Sequence, residues 1–203
     1  MSIETERSRS RGVTLLELIV FIVIVSTAVV GILTALDVSN RSSADPMIQK
    51  QALAIAEALL EEVQLQPFTY CDPEDLPQAT TADSATVGPT GCSVAAAVEA
   101  IGPETPAPYG PETRTSATTP FDNVNDYNGF SMGPGITDIT GAAITGLEKY
   151  SASVSVANPV AGQALGTISS SDTLFITVTV TGPSNTTVVL DGYRVRYAPN
   201  ALP

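Results

Sequence analysis

Few residue types in this chain can do chemistry, and carboxylates are the most numerous of them. The 203 residues hold 21 Asp and Glu against nine Lys and Arg, with no His and no Trp, giving a formal net charge of −12. Without His, a Ser–His or Cys–His nucleophile pair and any His-containing metal site are excluded. No spacing among the carboxylates marks an acid/base pair, so they read as solvated surface acids and no enzyme activity is expected. Cys71 and Cys92 are the two cysteines. The stretch 121–130, FDNVNDYNGF, gathers Asp122, Asn123, Asn125 and Asp126 among three aromatic residues. Such oxygens are a weak calcium candidate. The full calcium-loop spacing is absent and no Glu follows at the far end. Asx turns anchored by Phe121, Tyr127 and Phe130 are the commoner explanation, and no cofactor is otherwise expected.

One carboxylate stands apart from the rest. Glu17 opens an apolar segment that carries no charge from 18 to 36, LIVFIVIVSTAVVGILTAL. At helical rise that run spans roughly 28 Å, close to the hydrocarbon thickness of a bilayer. Gly31 is a modest weakness within it, and Ser26, Thr27 and Thr34 can bond back to helix carbonyls. Three of the nine bases, Arg7, Arg9 and Arg11, precede the run, and the chain after it is acidic. That asymmetry puts the N-terminus in the cytoplasm and the bulk of the protein across the membrane. A secretory signal peptide has a shorter apolar core and a small-residue cleavage site after it. A carboxylate at membrane depth is costly. Glu17 either snorkels to the interface or awaits a positive partner, and a cut between Gly12 and Val13 would create one, the new α-amino group of Val13.

At this point the chain resembles a known family. The stretch RGVTLLELIVFIVIVSTAVVGIL looks like the processing signature of type IV prepilins and of type II secretion pseudopilins. The resemblance implies that a prepilin peptidase cuts after Gly12, that Val13 becomes the new, N-methylated first residue, and that Glu17 is the assembly glutamate. Val13 departs from the Phe more common there. Gly12 lets the backbone lie close in a protease site. An unpaired carboxylate among packed apolar helices must find a cation, and the family expectation is that Glu17 pairs with the Val13 amine of its own or a neighbouring subunit. The resemblance further implies other major and minor pilins and an inner-membrane assembly platform as partners. Localisation would be the inner membrane as a single-pass protein before assembly, then the pilus or cell surface.

Organisation follows from the same reading: a leader 1–12, a membrane and filament-core helix 13–45, an amphipathic second half 46–66 and a globular head 67–203. Without the leader, which takes three arginines and two glutamates with it, the net charge is −13. No basic patch is left to neutralise phosphates, so nucleic-acid binding by the isolated head is not expected. Ala52, Ala56, Leu59 and Val63 recur at helical spacing, with Ile48, Ile55 and Leu60 beside them and Lys50, Glu57, Glu61 and Glu62 on other faces. Pro46 is either the first position of a new helix after Asp45 or a kink in one long helix stopped by Pro67; the long, bent helix is preferred. Residues 67–146 are rich in Pro, Gly, Ser, Thr and Ala, with a short helix expected only at 93–101. Export favours a Cys71–Cys92 disulfide over two buried thiols. Segments 150–157, 174–181 and 187–197 read as strands. A tight Gly-Pro-Ser-Asn connection at 182–185 joins the last two.

The expected fold is therefore α+β and pilin-like: a long N-terminal helix whose second half packs on a small antiparallel sheet with long loops. Within the family, QALAIAEALLEEVQLQPFTYCDPED and FDNVNDYNGF resemble minor pilins of the mannose-sensitive haemagglutinin (MSHA) type, which implies low abundance and a role in pilus initiation, at the tip or in adhesion. The alternatives are a minor pseudopilin of type II secretion and, from another class, a membrane-anchored periplasmic binding module that never polymerises.

Overall fold

The computed structural model describes residues 14–105, 108, 110–197, 199 and 200, with the backbone alone for 37–45. The chain divides at Pro46 into two compact units. Helix α1, Leu15–Leu65, supplies residues to both and contains Pro46. Its start is set by Thr14. The Thr14 hydroxyl accepts the Glu17 N–H at 3.3 Å and its carbonyl accepts the Leu18 N–H at 3.1 Å, so Thr14 acts as the N-cap and satisfies donors that the first turn leaves free.

In the first unit, Leu15–Leu36 forms 22 residues of helix long and apolar enough to cross a membrane, with none of it buried inside the protein. At 1.5 Å per residue this is roughly 33 Å. Thr27 bonds back to the Val23 and Ile24 carbonyls at 3.0 and 2.9 Å, and Thr34 to Val30 at 2.8 Å. These hydroxyls therefore leave no unmet donor on an apolar surface.

The second unit is built on a sheet in the order β1-β2-β3-β4, with strands β1 Ser131–Met132, β2 Ser151–Ala157, β3 Thr173–Thr181 and β4 Thr187–Val195, all antiparallel. Alternation decides the faces. Ala152, Val154 and Val156 stand opposite Val180, Val178 and Ile176 and are buried with them. Ser153 and Ser155 face Thr179 and Thr177 on the other side. The buried face receives Ala52, Ile55, Ala56, Leu59 and Val63 of α1 in one hydrophobic core. Gly192, paired with Ile176, is needed for that approach, because a Cβ there would lie 2.6 Å from Gln64 Nε2 and 3.0 Å from Leu60 Cδ1. The β3–β4 hairpin closes at the expected turn, with the Gly182 N–H on the Thr186 carbonyl at 2.8 Å and Ser184 and Asn185 in the left-handed region at φ 57° and 58°.

The helix ends before Pro67 as its sequence requires. Arg194 Nη2 donates to the Gln66 carbonyl at 2.9 Å, and Arg196 Nη1 to the Thr69 carbonyl at 2.9 Å, tying the last strand to the helix exit. Arg196 also stacks over Phe68 and Tyr70, 3.8 and 4.2 Å from their ring centroids. Two sequence expectations are corrected. The helix expected at 93–101 is only a 3₁₀ turn, Ala95–Ala97, because flanking residues pair with the strand-like segment after the helix. The Asp72 N–H meets the Ala97 carbonyl at 3.0 Å and the Glu99 N–H meets the Tyr70 carbonyl at 3.1 Å. The last strand stops at Val195 rather than 197. Leu59 is 3% exposed at the centre of the helix–sheet contact. Leu59→Ala is expected to cost about 2–5 kcal/mol, read as a lowered midpoint in denaturant unfolding of the detergent-solubilised full chain.

Candidate functional site

Gly12 and Val13, the residues of the expected cut and methylation, lie outside the described residues. Glu17 falls in the first turn of α1, exposed, with its backbone N–H held by the Thr14 hydroxyl. An anionic side chain in a first turn faces the positive end of the helix dipole. Thr14-Leu15-Leu16-Glu17 also has the spacing of a capping box. That local signal was present in the sequence beside the processing signature.

In the second unit the cysteines are joined, with Cys71 and Cys92 bonded at a Cα separation of 5.4 Å. They are buried with Ala82 and Ala97 in a small cluster of their own. The disulfide draws the segments around 71 and 92 together, and the 121–130 loop packs nearby through Asn123. The Asn123 side-chain oxygen Oδ1 accepts the Val124 N–H at 3.0 Å, and its side-chain Nδ2 donates to Thr69 Oγ1 at 2.6 Å. Asp126 completes a capping box by accepting the Asn123 N–H at 2.7 Å. Phe121, Tyr127 and Phe130 form a trio of edge-on contacts. The Asx-turn reading of this loop therefore describes what it does, and Asn123 is spent on structure. Of the quartet Asp122, Asn123, Asn125 and Asp126, Asn123 is held by these bonds, and the two aspartates face acids from other segments. Asp122 groups with Asp72 and Glu74, while Asp126 groups with Glu104 and Glu112.

What the tertiary structure assembles is a set of carboxylates from segments far apart in the sequence, around 72, 99–112 and 122–126. Asp72, Glu99 and Glu104 form a third group, and in each of the three the candidate oxygens lie within 4.8 Å of one another. Asp72 and Glu104 each belong to two groups, so the three are contiguous. The loop that carries Glu104 and Glu112 is folded on itself: the Glu112 N–H meets the Glu104 carbonyl at 3.0 Å, and the Glu104 N–H meets Glu112 Oε2 at 3.0 Å. Gly110 permits this, since any Cβ there would overlap the Glu104 carbonyl. Burial pushes the Asp72 and Asp122 carboxyls up to about 7, Asp126 to about 8 and Glu112 to about 10. Glu99 is raised well above its ordinary value by burial and by the Asp126 and Glu104 charges. Desolvation disfavours each carboxylate, and its neighbours add like-charge repulsion. The sequence reading of these acids as solvated does not hold for this set, because burial is a tertiary property that spacing does not carry.

A second arrangement centres on Arg114, the single base among fourteen acids between 51 and 148. Its Nε and Nη2 grip the two oxygens of Glu62 at 2.6 and 2.8 Å. Its Nη1 donates to the Asp138 carbonyl at 2.8 Å, and its plane lies 5.6 Å from the Phe130 centroid. The Tyr127 hydroxyl adds a third bond to Glu62 at 2.9 Å, and burial raises the Tyr127 pKa. This clamp forms one wall of an apolar cleft of about 440 Å³, lined elsewhere by Ile55, Leu59, Met132, Ile136 and Ile144. Glu62 was read only as a polar-face residue; the isolation of Arg114 in an acidic stretch was the signal for a committed partner.

No family model, curated protein or solved structure matches the chain.

Arg114→Ala would leave the Glu62 carboxylate, with 22% of its side chain exposed, without its base. A loss of about 3 kcal/mol in unfolding free energy is expected. Glu62→Gln added to it should recover part of that loss, and a double-mutant cycle by urea unfolding measures both.

Proposed function

We propose that this chain is a prepilin-like assembly subunit, cut between Gly12 and Val13 and polymerised through its N-terminal helix, and that among such subunits it is an MshD-like minor pilin of MSHA type. The observation that carries the reading is the placement of Glu17 in the first turn of a 22-residue apolar helical segment, none of which is buried among the described residues. The physical logic runs from charge. A helix so apolar is soluble in a bilayer or among like helices, and a carboxylate at its start favours a nearby cation. A newly made α-amino group at Val13 would stand four residues before Glu17, at the end of the helix where a first-turn carboxylate is already favoured. The α+β second unit, with an amphipathic helical stripe on an antiparallel sheet, is compatible with a pilin head. Its long loops offer surface for contacts at a tip or along a shaft. Prepilin peptidase, other pilins and the inner-membrane assembly platform are the corresponding partners. The role is assembly and adhesion rather than turnover.

The first test is the N-terminal residue of the protein recovered from cells carrying a prepilin peptidase. Mass spectrometry should find a chain that begins at methylated Val13. A chain still carrying residues 1–12 in such cells would place it with anchored modules that do not polymerise. In the same cells Glu17→Ala should be processed nearly as well as wild type yet be lost from sheared pili on immunoblotting. Normal incorporation of that variant would remove the charge-pairing account.

A further inference from the structure

The carboxylates gathered from the loops of the second unit have a feature that acidic surfaces lack. In four of them one oxygen is fixed and the other is unmet. Asp72 Oδ1 accepts the Glu74 N–H at 2.7 Å, and Asp126 Oδ2 accepts two backbone N–H groups at 3.0 and 2.7 Å. Glu112 Oε2 accepts the Glu104 N–H at 3.0 Å, and Glu99 Oε2 accepts the Asn125 amide at 2.8 Å. The second oxygen of every one of these, with Glu104 Oε2, Asp122 Oδ1 and the Asn125 side-chain carbonyl, is buried and has no hydrogen-bond partner. Asp72, Asn125 and Asp126 are at most 2% exposed, so water does not replace the missing partners from bulk. Among the described residues no Lys or Arg forms an ion pair with any of these carboxylates; the ion pairs present are Arg114–Glu62 and Arg196–Asp172.

Unmet buried oxygens are individually expensive, at about 1–3 kcal/mol each and more when charged. Seven of them in one region call for a shared partner. We infer that the loops around Asp72, Glu99, Glu104, Glu112, Asp122 and Asp126 form a Ca²⁺-binding site, taking at least one ion. The chemistry selects the ion. Every available donor is oxygen, from carboxylates and an amide carbonyl. There is no His in the chain, and the cysteines beside the site are bonded to each other. Such a set suits a hard cation and offers nothing to a soft one. Ca²⁺ takes six to eight oxygens in flexible geometry, whereas Mg²⁺ demands a near-ideal octahedron and keeps much of its water. Donors carried on irregular loops and anchored one oxygen at a time fit the former. The ion would cross-link the segments around 72, 99–104, 112 and 122–126, adding to loop hydrogen bonds such as that from the Gly102 N–H to the Asn125 carbonyl at 3.0 Å. This site is independent of whether the chain is cut or assembled.

The experiment is isothermal titration calorimetry on the detergent-solubilised full chain. It is stripped with EDTA, exchanged into chelator-free buffer and titrated with CaCl₂, then separately with MgCl₂, with thermal unfolding followed alongside. Saturable Ca²⁺ binding, at least tenfold tighter than Mg²⁺, and a higher unfolding temperature with Ca²⁺ are expected. Asp72→Asn and Glu112→Gln, which keep shape and an acceptor oxygen, should each weaken Ca²⁺ binding tenfold or more, while Asp191→Asn on the exposed sheet face should not. Absence of saturable binding by the wild-type chain, with unfolding indifferent to Ca²⁺ and EDTA, would overturn the proposal and leave the carboxyls as a protonated, proton-sharing cluster. Equal affinity for Mg²⁺, or unchanged Ca²⁺ affinity in both cluster variants, would overturn it as well.

Discussion

The second unit depends on one contact, the apolar stripe of α1 laid across the inner face of the sheet. Ala52 and Ala56 are fully buried there, in one core with the strand residues. Leu59 and Val63 then fill the space against the strands in the same core. The sheet supplies the complementary surface by strict alternation, with Val154, Val156, Ile176 and Val178 on one side and Ser and Thr on the other. A one-residue slip in either β2 or β3 would exchange those faces. Gly192 shows how close the fit is, because its missing side chain is what admits Leu60 and Gln64. The loops beyond the sheet join this core through Phe68, Val124, Tyr127 and Ile136, and polar ties add to that packing.

Those ties are few because bases are few. Arg114 holds the long loop region to the helix through Glu62, and Arg194 and Arg196 hold the last strand to the helix exit. A planar guanidinium is suited to this work, since it can grip a carboxylate with two bonds and still donate to a carbonyl or lie over a ring. With its described arginines committed in this way, no ion pair among the described residues reaches the acids of the loops. The buried carboxylates are the consequence. They are ordered by backbone N–H groups, raised in pKa by burial and left with oxygens facing one another. Their unmet oxygens are the observation on which the proposed Ca²⁺ site rests.

The two halves of α1 illustrate how environment decides what a helix is for. Leu15–Leu36 is apolar all round and is not buried among the described residues, the pattern of a helix suited to lipid or to other apolar helices. The half within the second unit is apolar on one side only and finds its partner in its own sheet. Glu17 belongs to the first half, in the first turn of the helix.

How much of this was legible in the sequence follows from the range of each interaction. The apolar span, the amphipathic stripe, three strands and the Gly-Pro-Ser-Asn hairpin were readable because each is encoded by periodicity or turn chemistry within a dozen residues. The disulfide was readable because two cysteines allow one pairing. The short helix expected at 93–101 failed because backbone pairing with 70–72, more than twenty residues away, outweighed weak local propensity. The Asx loop showed its turn and aromatic anchors to a sequence reader, but not that Asp122 and Asp126 face acids from elsewhere. The buried carboxylate cluster and the Glu62–Arg114 clamp were beyond local reading for the same reason. A charge has no periodicity, and whether it is solvated or buried is set only when distant loops close over it.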